Sequence, residues 1–480
     1  MHPLDHLPLT LLAAVLFSVS WLDHSAVSAA PSASGPQIHQ MELSRSCRQQ
    51  RNATQWGEWV SYQRSRLAVK YDNETSVLAK RENGMNLLSD QNADSTYFGS
   101  LTAGTPPVSY NVILDTGSSD FWLATEEAFH ENNVGTPGFN PSASSSYVPL
   151  NTPFSIKYGS GNAAGVLGKD TIQMAGFTVE DQVLAVVANM SENMLRTPVS
   201  GLLGLAFPNI ATSHAVPFWL NVAAQPGFLD VALMGFHLTR YLDDVSARSS
   251  EPGGTFSFGA VNTSLYTGEI DYVDIPEDRV GYWLLELTGE YVTLSSPAYA
   301  AIDTGTTLVG GPADTIADIF STIPGSAPGT GDYDGYYTYP CSTSVTISLR
   351  FGNSSIAWPI SPVDFQLVQL DSETCVGALF EFKTGAGGPT WIVGDTFLKN
   401  VYSVFRAEPQ PSVGFARLSP LAESMNGQGG ALPTPTYAAG GAVVTAQDGL
   451  SRSGSVPAQS LPNLVLLFSS LLSMAWWTSF

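Results

Sequence analysis

A chain that carries the same turn twice, behind similar apolar runs and ahead of similar glycine segments, has little freedom in how it folds. Here Asn-Val-Ile-Leu leads into Asp115-Thr-Gly-Ser, and Tyr-Ala-Ala-Ile leads into Asp303-Thr-Gly-Thr. Gly204, closing Leu202-Leu203-Gly204, follows the first aspartate by 89 residues, and Gly394, closing Ile392-Val393-Gly394, follows the second by 91. Matching devices at matching intervals predict a duplicated lobe.

Between these landmarks the chain is written in short β-branched and aromatic runs broken by Gly, Pro, Asn and Ser. Tyr110–Leu114, Phe154–Tyr158, Thr255–Phe258 and Ser344–Phe351 are examples. That pattern predicts an all-β protein. The clearest helix signal is Ala313 to Ile323 after Pro312, with Ile316, Ile319, Phe320 and Ile323 at helical spacing. Residues 240–253 read as a surface loop ahead of a lobe boundary near residue 262.

An aspartate ending an apolar strand and followed by Gly sits where the backbone can turn tightly and aim N–H donors at the carboxylate. Two such loops face to face bring two carboxylates together, and carboxylates that close share a proton and titrate as a pair. Such a pair can take a proton from water while polarising a carbonyl. The other hydrolytic chemistries lack their residues: there is no His-Glu-x-x-His pair for zinc and no Gly-x-Ser-x-Gly elbow. No metal or other cofactor is called for.

These residues resemble the pepsin-like aspartic protease family from about Asp94 to Leu418. The resemblance rests on Asp115-Thr-Gly-Ser-Ser-Asp-Phe-Trp122, Ile156-Lys-Tyr-Gly-Ser-Gly161, Gly201-Leu-Leu-Gly-Leu-Ala206, Asp303-Thr-Gly-Thr-Thr307 and Trp391-Ile-Val-Gly-Asp-Thr-Phe397, in that order. It implies a bilobal fold of two β-barrel lobes, at 82–262 and 263–425, with an active-site cleft between them and peptides or proteins as substrates. It implies that Asp115 and Asp303 are the catalytic pair, supported by Gly117 and Gly305, and that the Ser118 and Thr306 hydroxyls bond their outer oxygens. Thr116 and Thr304 would brace the two loops. Tyr158, Gly159 and Ser160 would form the tip of a mobile flap, with Trp122 holding the tyrosine. Asp395 would be structural. The alternative is a silent, peptide-binding surface protein of the same fold; silent relatives typically lose an aspartate, a neighbouring glycine or the flap tyrosine, and this chain retains all of them.

Three cysteines allow one disulfide. Cys341 and Cys375 lie 34 residues apart while Cys47 stands alone near the start of the chain, and the first two match the disulfide of the family's second lobe. Charge is lopsided, with 20 Lys and Arg against 42 Asp and Glu and a net charge of −22. Nucleic acid is therefore excluded as a partner. Residues 82–425 hold 11 of the basic and 35 of the acidic side chains, whereas basic residues outnumber acidic ones in 31–81. A cationic leader before an acidic body reads as a pro-segment held until pH falls. Lys80-Arg81 offers a processing site that would start the mature chain at Glu82. Asp120, Glu126 and Glu127 would permit a preference for basic residues in substrates.

The ends read as addresses. Residues 1–30 read as a secretory signal, although no Lys or Arg precedes their apolar run. Asn189, Asn262 and Asn353 lie in glycosylation sequons, as do Asn52 and Asn73. Residues 426–462 read as a flexible Gly/Ser/Pro-rich stalk. The apolar tail 463–480 reads as a GPI-attachment signal, with Ser453 as the attachment site. With these ends the chain looks like yapsins and other GPI-anchored fungal members, a monomer held by a lipid anchor at the plasma membrane or cell wall.

Overall fold

The computed structural model describes residues 39–46, several helical positions between 56 and 70, most of 96–437, and 444–448. The secretory signal, Cys47, Asn52, Asn73, Lys80, Arg81, Gly159, Ser160, Ser453 and the apolar tail lie outside the described residues.

The architecture is all-β and bilobal, and the duplication appears as topology. In the first lobe, Val108–Asp115 runs parallel to Val199–Gly204, which also pairs antiparallel with Phe121–Ala124. In the second, Ala298–Ile302 runs parallel to Trp391–Val393, which pairs antiparallel with Val309–Gly311. Each apolar-apolar-Gly segment thus lies between the strand that delivers an aspartate and the strand that leaves it. The glycines are required by that passage. A β-carbon on Gly204 would stand 2.5 Å from the Ser119 backbone, and one on Gly394 would stand 2.1 Å from the Thr306 carbonyl oxygen.

A thirteen-stranded sheet joins the lobes. Val401–Arg406, near the end of the family match, pairs with Leu233–Leu238, which pairs with Ser250–Phe258. The leader strand His39–Ser46 lies next, antiparallel to Ser250–Phe258 from His39↔Phe258 to Ser46↔Ser250, and it touches Tyr97–Ala103 at Ser44↔Phe98 and Arg45↔Tyr97. The lobes are therefore not separate at residue 262 but share this sheet. The expectation of a surface loop over 240–253 is corrected at its two ends, residues 242–249 lying outside the described residues. Residues 250–253 are strand, and Arg240 is buried, with its guanidinium 2.9 Å from Asp364 Oδ2 in the second lobe. Lys399 lies 3.1 Å from the same carboxylate, so three charged groups meet without solvent. Burial works against ionising Asp364, but Lys399 and Arg240 outweigh it and hold the carboxyl below the ordinary range.

The segment read as a flexible stalk is partly folded. Thr436–Tyr437 pairs with Ile356–Ala357, and Val444–Asp448 pairs with Thr343–Ile347. Val444 and Ala446, alternating along the strand, pack on the core. A Gly/Ala-rich composition lowers the tendency to fold alone, but an available strand edge supplies what the segment lacks. The helix Ala313–Ser321 and the Cys341–Cys375 disulfide stand where the sequence put them. Among the described residues, no helix is long and apolar enough to cross a membrane.

Candidate active site

The two Asp-Thr-Gly loops meet where the lobes join, and they are interlocked. Thr116 N–H donates to Thr304 Oγ1 at 3.1 Å, while Thr304 N–H donates to Thr116 Oγ1 at 2.9 Å. Each hydroxyl then donates to a carbonyl across the junction, Thr116 to Ile302 at 2.9 Å and Thr304 to Leu114 at 2.7 Å. These bonds are fully buried, where water cannot replace them.

The bracing sets the carboxylates. Gly117 N–H donates to Asp115 Oδ1 at 2.9 Å and Gly305 N–H to Asp303 Oδ1 at 2.8 Å. Ser118 and Thr306 hydroxyls donate to Asp115 Oδ2 and Asp303 Oδ2, both at 2.5 Å. Asp115 is 1% exposed and Asp303 0%. Behind them Leu205 N–H donates to the Asp115 carbonyl. Next to Leu205, Phe207, Trp219, Trp283 and Phe405 form a continuous aromatic wall, with Phe207 and Trp283 centroids 4.5 Å apart. A rigid backing of this kind keeps the loops from relaxing apart.

One group absent from the sequence reading occupies the centre. Lys70 Nζ lies 2.9 Å from Asp115 Oδ1 and 2.8 Å from Asp303 Oδ2, with its side chain 5% exposed. Both carboxylates are thus within reach of one ammonium. Burial alone would lower the Lys70 pKa, but attraction to Asp115 and Asp303 outweighs it and the net shift is upward. For Asp115, burial raises the pKa, Lys70 opposes this, and the nearby Asp303 charge adds to it, leaving a net rise.

Helical residues before Lys70 anchor it on the second lobe. Trp56, Trp59, Val60 and Leu67 are buried at 3% exposure or less. Tyr336 Oη donates to the Val60 carbonyl at 2.8 Å, and Arg64 donates to the Asp334 carbonyl. Each such apolar side chain contributes about 1.5–3 kcal/mol through burial, so the exposed Arg64–Asp334 pair is the minor part of the grip.

Tyr158 ends the strand Val148–Tyr158, and the partner strand Gly161–Met174 returns from it as a hairpin. Trp122 Nε1 donates to Tyr158 Oη at 2.9 Å, the contact anticipated for it. Beside Asp115 a pocket is lined by Ile113, Trp122, Tyr158, Met194, Leu195 and Leu202, together with Lys70. Asp120 is turned away. Its carboxylate accepts the Thr212 and Ser213 N–H groups at 2.8 Å each, and Glu126 and Glu127 are exposed outside this lining. Of the sequons, Asn189 and Asn353 are exposed and Asn262 is half-buried. Asp395 is buried at 1% exposure at the start of the helix Asp395–Leu398, where its N–H donates to the Thr306 carbonyl at 2.8 Å. Among the described residues no cluster of metal-ligating side chains occurs.

Two interlocked aspartate loops at the junction of duplicated β lobes define a bilobal aspartic peptidase. The sequence profile of the eukaryotic aspartyl protease family matches residues 96–418, and the chain belongs to that family. It is similar to major aspartyl peptidase 1 of Cryptococcus neoformans, 42% identical over 355 residues that cover 71% of this chain and 72% of the relative. It is similar to an aspartic protease of Phaffia rhodozyma, 32% identical over 377 residues covering 75% and 86% of the two chains. Pepsin A of Sus scrofa is 32% identical over 349 residues covering 70% and 84%. The chain is an aspartic-type endopeptidase, a hydrolase acting on peptide or protein substrates.

Proposed function

We propose that the structure is the zymogen of an acid-acting, secreted endopeptidase in which Asp115 and Asp303 are the catalytic pair and Lys70 is the lock. The carrying observation is that a single buried ammonium spans both carboxylates. Acid adds one proton to the pair, weakens the attraction, and frees the site for substrate. One carboxylate then takes a proton from water while its protonated neighbour donates to the scissile carbonyl, and the peptide bond is hydrolysed without a covalent intermediate. Thr116 and Thr304 hold the geometry, Gly117 and Gly305 supply N–H donors, and Ser118 and Thr306 fix the outer oxygens. Tyr158, with Gly159 and Ser160, closes over the substrate to exclude water.

The pocket beside Asp115 is walled mainly by apolar side chains, which favours an apolar over a charged substrate side chain there. The sequence-based preference for basic residues loses support, since Asp120 is committed to backbone N–H groups and Glu126 and Glu127 do not line the pocket. Cleavage at Lys80-Arg81, glycosylation at Asn189, Asn262 and Asn353, a GPI anchor at Ser453 and a monomeric state at the cell surface complete this reading. Acidified wild-type protein should cleave casein in a pepstatin-sensitive manner, with bonds after Leu, Phe or Met preferred over those after Lys or Arg. Absence of cleavage after the pro-segment is removed would overturn it.

A further inference from the structure

Among the described residues, the serine of the Asn189 sequon is engaged elsewhere: Ser191 accepts Asn162 N–H at 2.9 Å. In the Asn262 sequon, Ser264 turns back on its own asparagine. Its hydroxyl and its N–H both donate to Asn262 Oδ1, at 2.7 and 3.1 Å. That fixes the amide plane and leaves Nδ2 pointing away from the turn. Nδ2 donates at 2.6 Å to Oε1 of Gln40, in the leader strand His39–Ser46. The atom that a glycan would occupy is therefore the atom that meets the leader strand near its start, and Gln40 is exposed there.

We propose that Asn262 carries an N-linked glycan which stands on the seam between the leader strand and the enzyme body and loosens that strand. The proposal rests on the secretory reading above. In the attachment, Asn262 Nδ2 bonds to C1 of an oligosaccharide carried on a lipid diphosphate. The C1–O bond to the diphosphate breaks, the lipid diphosphate leaves, and the amide gives up one proton. The nitrogen that meets Gln40 Oε1 keeps a single N–H and gains a bulky substituent. The leader strand loses a side-chain tie at the end where pairing begins, at His39↔Phe258 and Gln40↔Ser257. An exposed hydrogen bond contributes modestly to stability, so the strand is loosened rather than expelled.

The test uses the secreted full-length zymogen at neutral pH. Peptide mass mapping reads glycan occupancy, and hydrogen exchange of the peptide spanning 39–46 reads the docking of the strand without any call on catalysis. The wild type and Ser264→Thr, which preserves the sequon, are expected to carry glycan at Asn262. Ser264→Ala, which destroys it, is expected to carry none and to exchange about threefold more slowly. Trimming the wild-type glycan to one sugar with an endoglycosidase, which leaves the sequence intact, is expected to slow exchange in the same direction. Glycan at Asn189 or Asn353 but not at Asn262 overturns this proposal alone. Glycan at no sequon overturns the secretory reading with it. Equal exchange in the glycosylated, trimmed and Ser264→Ala proteins overturns the loosening.

Discussion

Gly117 lies directly against the Asp303 carboxyl group: a β-carbon at that position would stand 2.5 Å from Asp303 Cγ. The relation is reciprocal, since a β-carbon on Gly305 would stand 2.3 Å from Asp115 Oδ1. Each carboxylate is tied by a hydroxyl and an N–H of its own loop and cannot move aside without breaking them. Gly117→Ala and Gly305→Ala are expected to lower kcat by about a hundredfold or more. Overpacking on this scale costs about 1–3 kcal/mol, so calorimetry should show Tm falling by only several degrees.

Asp115→Asn and Asp303→Asn are each expected to reduce kcat by about a thousandfold or more, because neither amide can complete the proton exchange. Residues acting as one unit are not additive. The double variant should therefore be little worse than either single one in a steady-state assay with a fluorogenic peptide.

The Lys70 lock has a definite pH sign. Lys70 favours ionised Asp115, so the docked state binds fewer protons than the undocked state, and docking weakens as pH falls. Because burial and Asp303 leave the net pKa of Asp115 raised, release begins above the ordinary carboxylate range of about 3.9. The same net rise makes the folded site favourable at low pH and costly once pH rises through the shifted value. Lys70→Met is expected to show at least about tenfold more basal activity at pH 7, and a flatter pH profile of pro-segment release by size exclusion.

His237 is fully buried, with no well-formed hydrogen bond to either ring nitrogen. Burial lowers its pKa to about 4. An unfolded histidine takes its proton near pH 6.5, so stability is lost as pH falls from about 6.5 to 4 and no further below that. His237→Phe is expected to remove a loss of about 3 kcal/mol over this window. Denaturant midpoints at pH 7 and pH 4 should differ less in the variant than in the wild type.

The tail strand Val444–Asp448 covers the edge of Thr343–Ile347. A chain ended after Asn426 exposes that edge, whereas one ended after Asp448 retains its cover. The shorter protein is expected to melt several degrees lower and to self-associate in light scattering. The longer one should match the full chain.

Much of the site was legible because its chemistry is local. The Asp-Thr-Gly loops, the Ser118 and Thr306 hydroxyls and the Trp122–Tyr158 contact follow from short motifs whose spacing dictates their hydrogen bonds. Lys70 was not legible in that way. It sits 45 residues from Asp115 and 233 from Asp303, and nothing beside it in the chain distinguishes it from the leader's other basic residues. The cationic leader was readable as a whole, but the one charge that matters was not. The pocket's Met194 and Leu195 and the folding of the tail were hidden for the same reason, since both depend on surfaces made by distant strands. Asp120 shows the opposite error, a carboxylate read as available for substrate when the fold spends both its oxygens on Thr212 and Ser213.

The leader strand is an interior member of the shared sheet, paired along its length with Ser250–Phe258 and at Ser44 and Arg45 with Tyr97–Ala103. Severing the connection near Lys80-Arg81 would leave it stitched in place by its backbone pairing. Withdrawing it uncovers the amide and carbonyl groups of Ser250–Phe258 and those beside Tyr97 and Phe98, so in the zymogen reading proposed above maturation is as much a repair of that seam as an unlocking of the carboxylates. Whatever segment fills the opening decides how firmly the halves of the finished molecule are held.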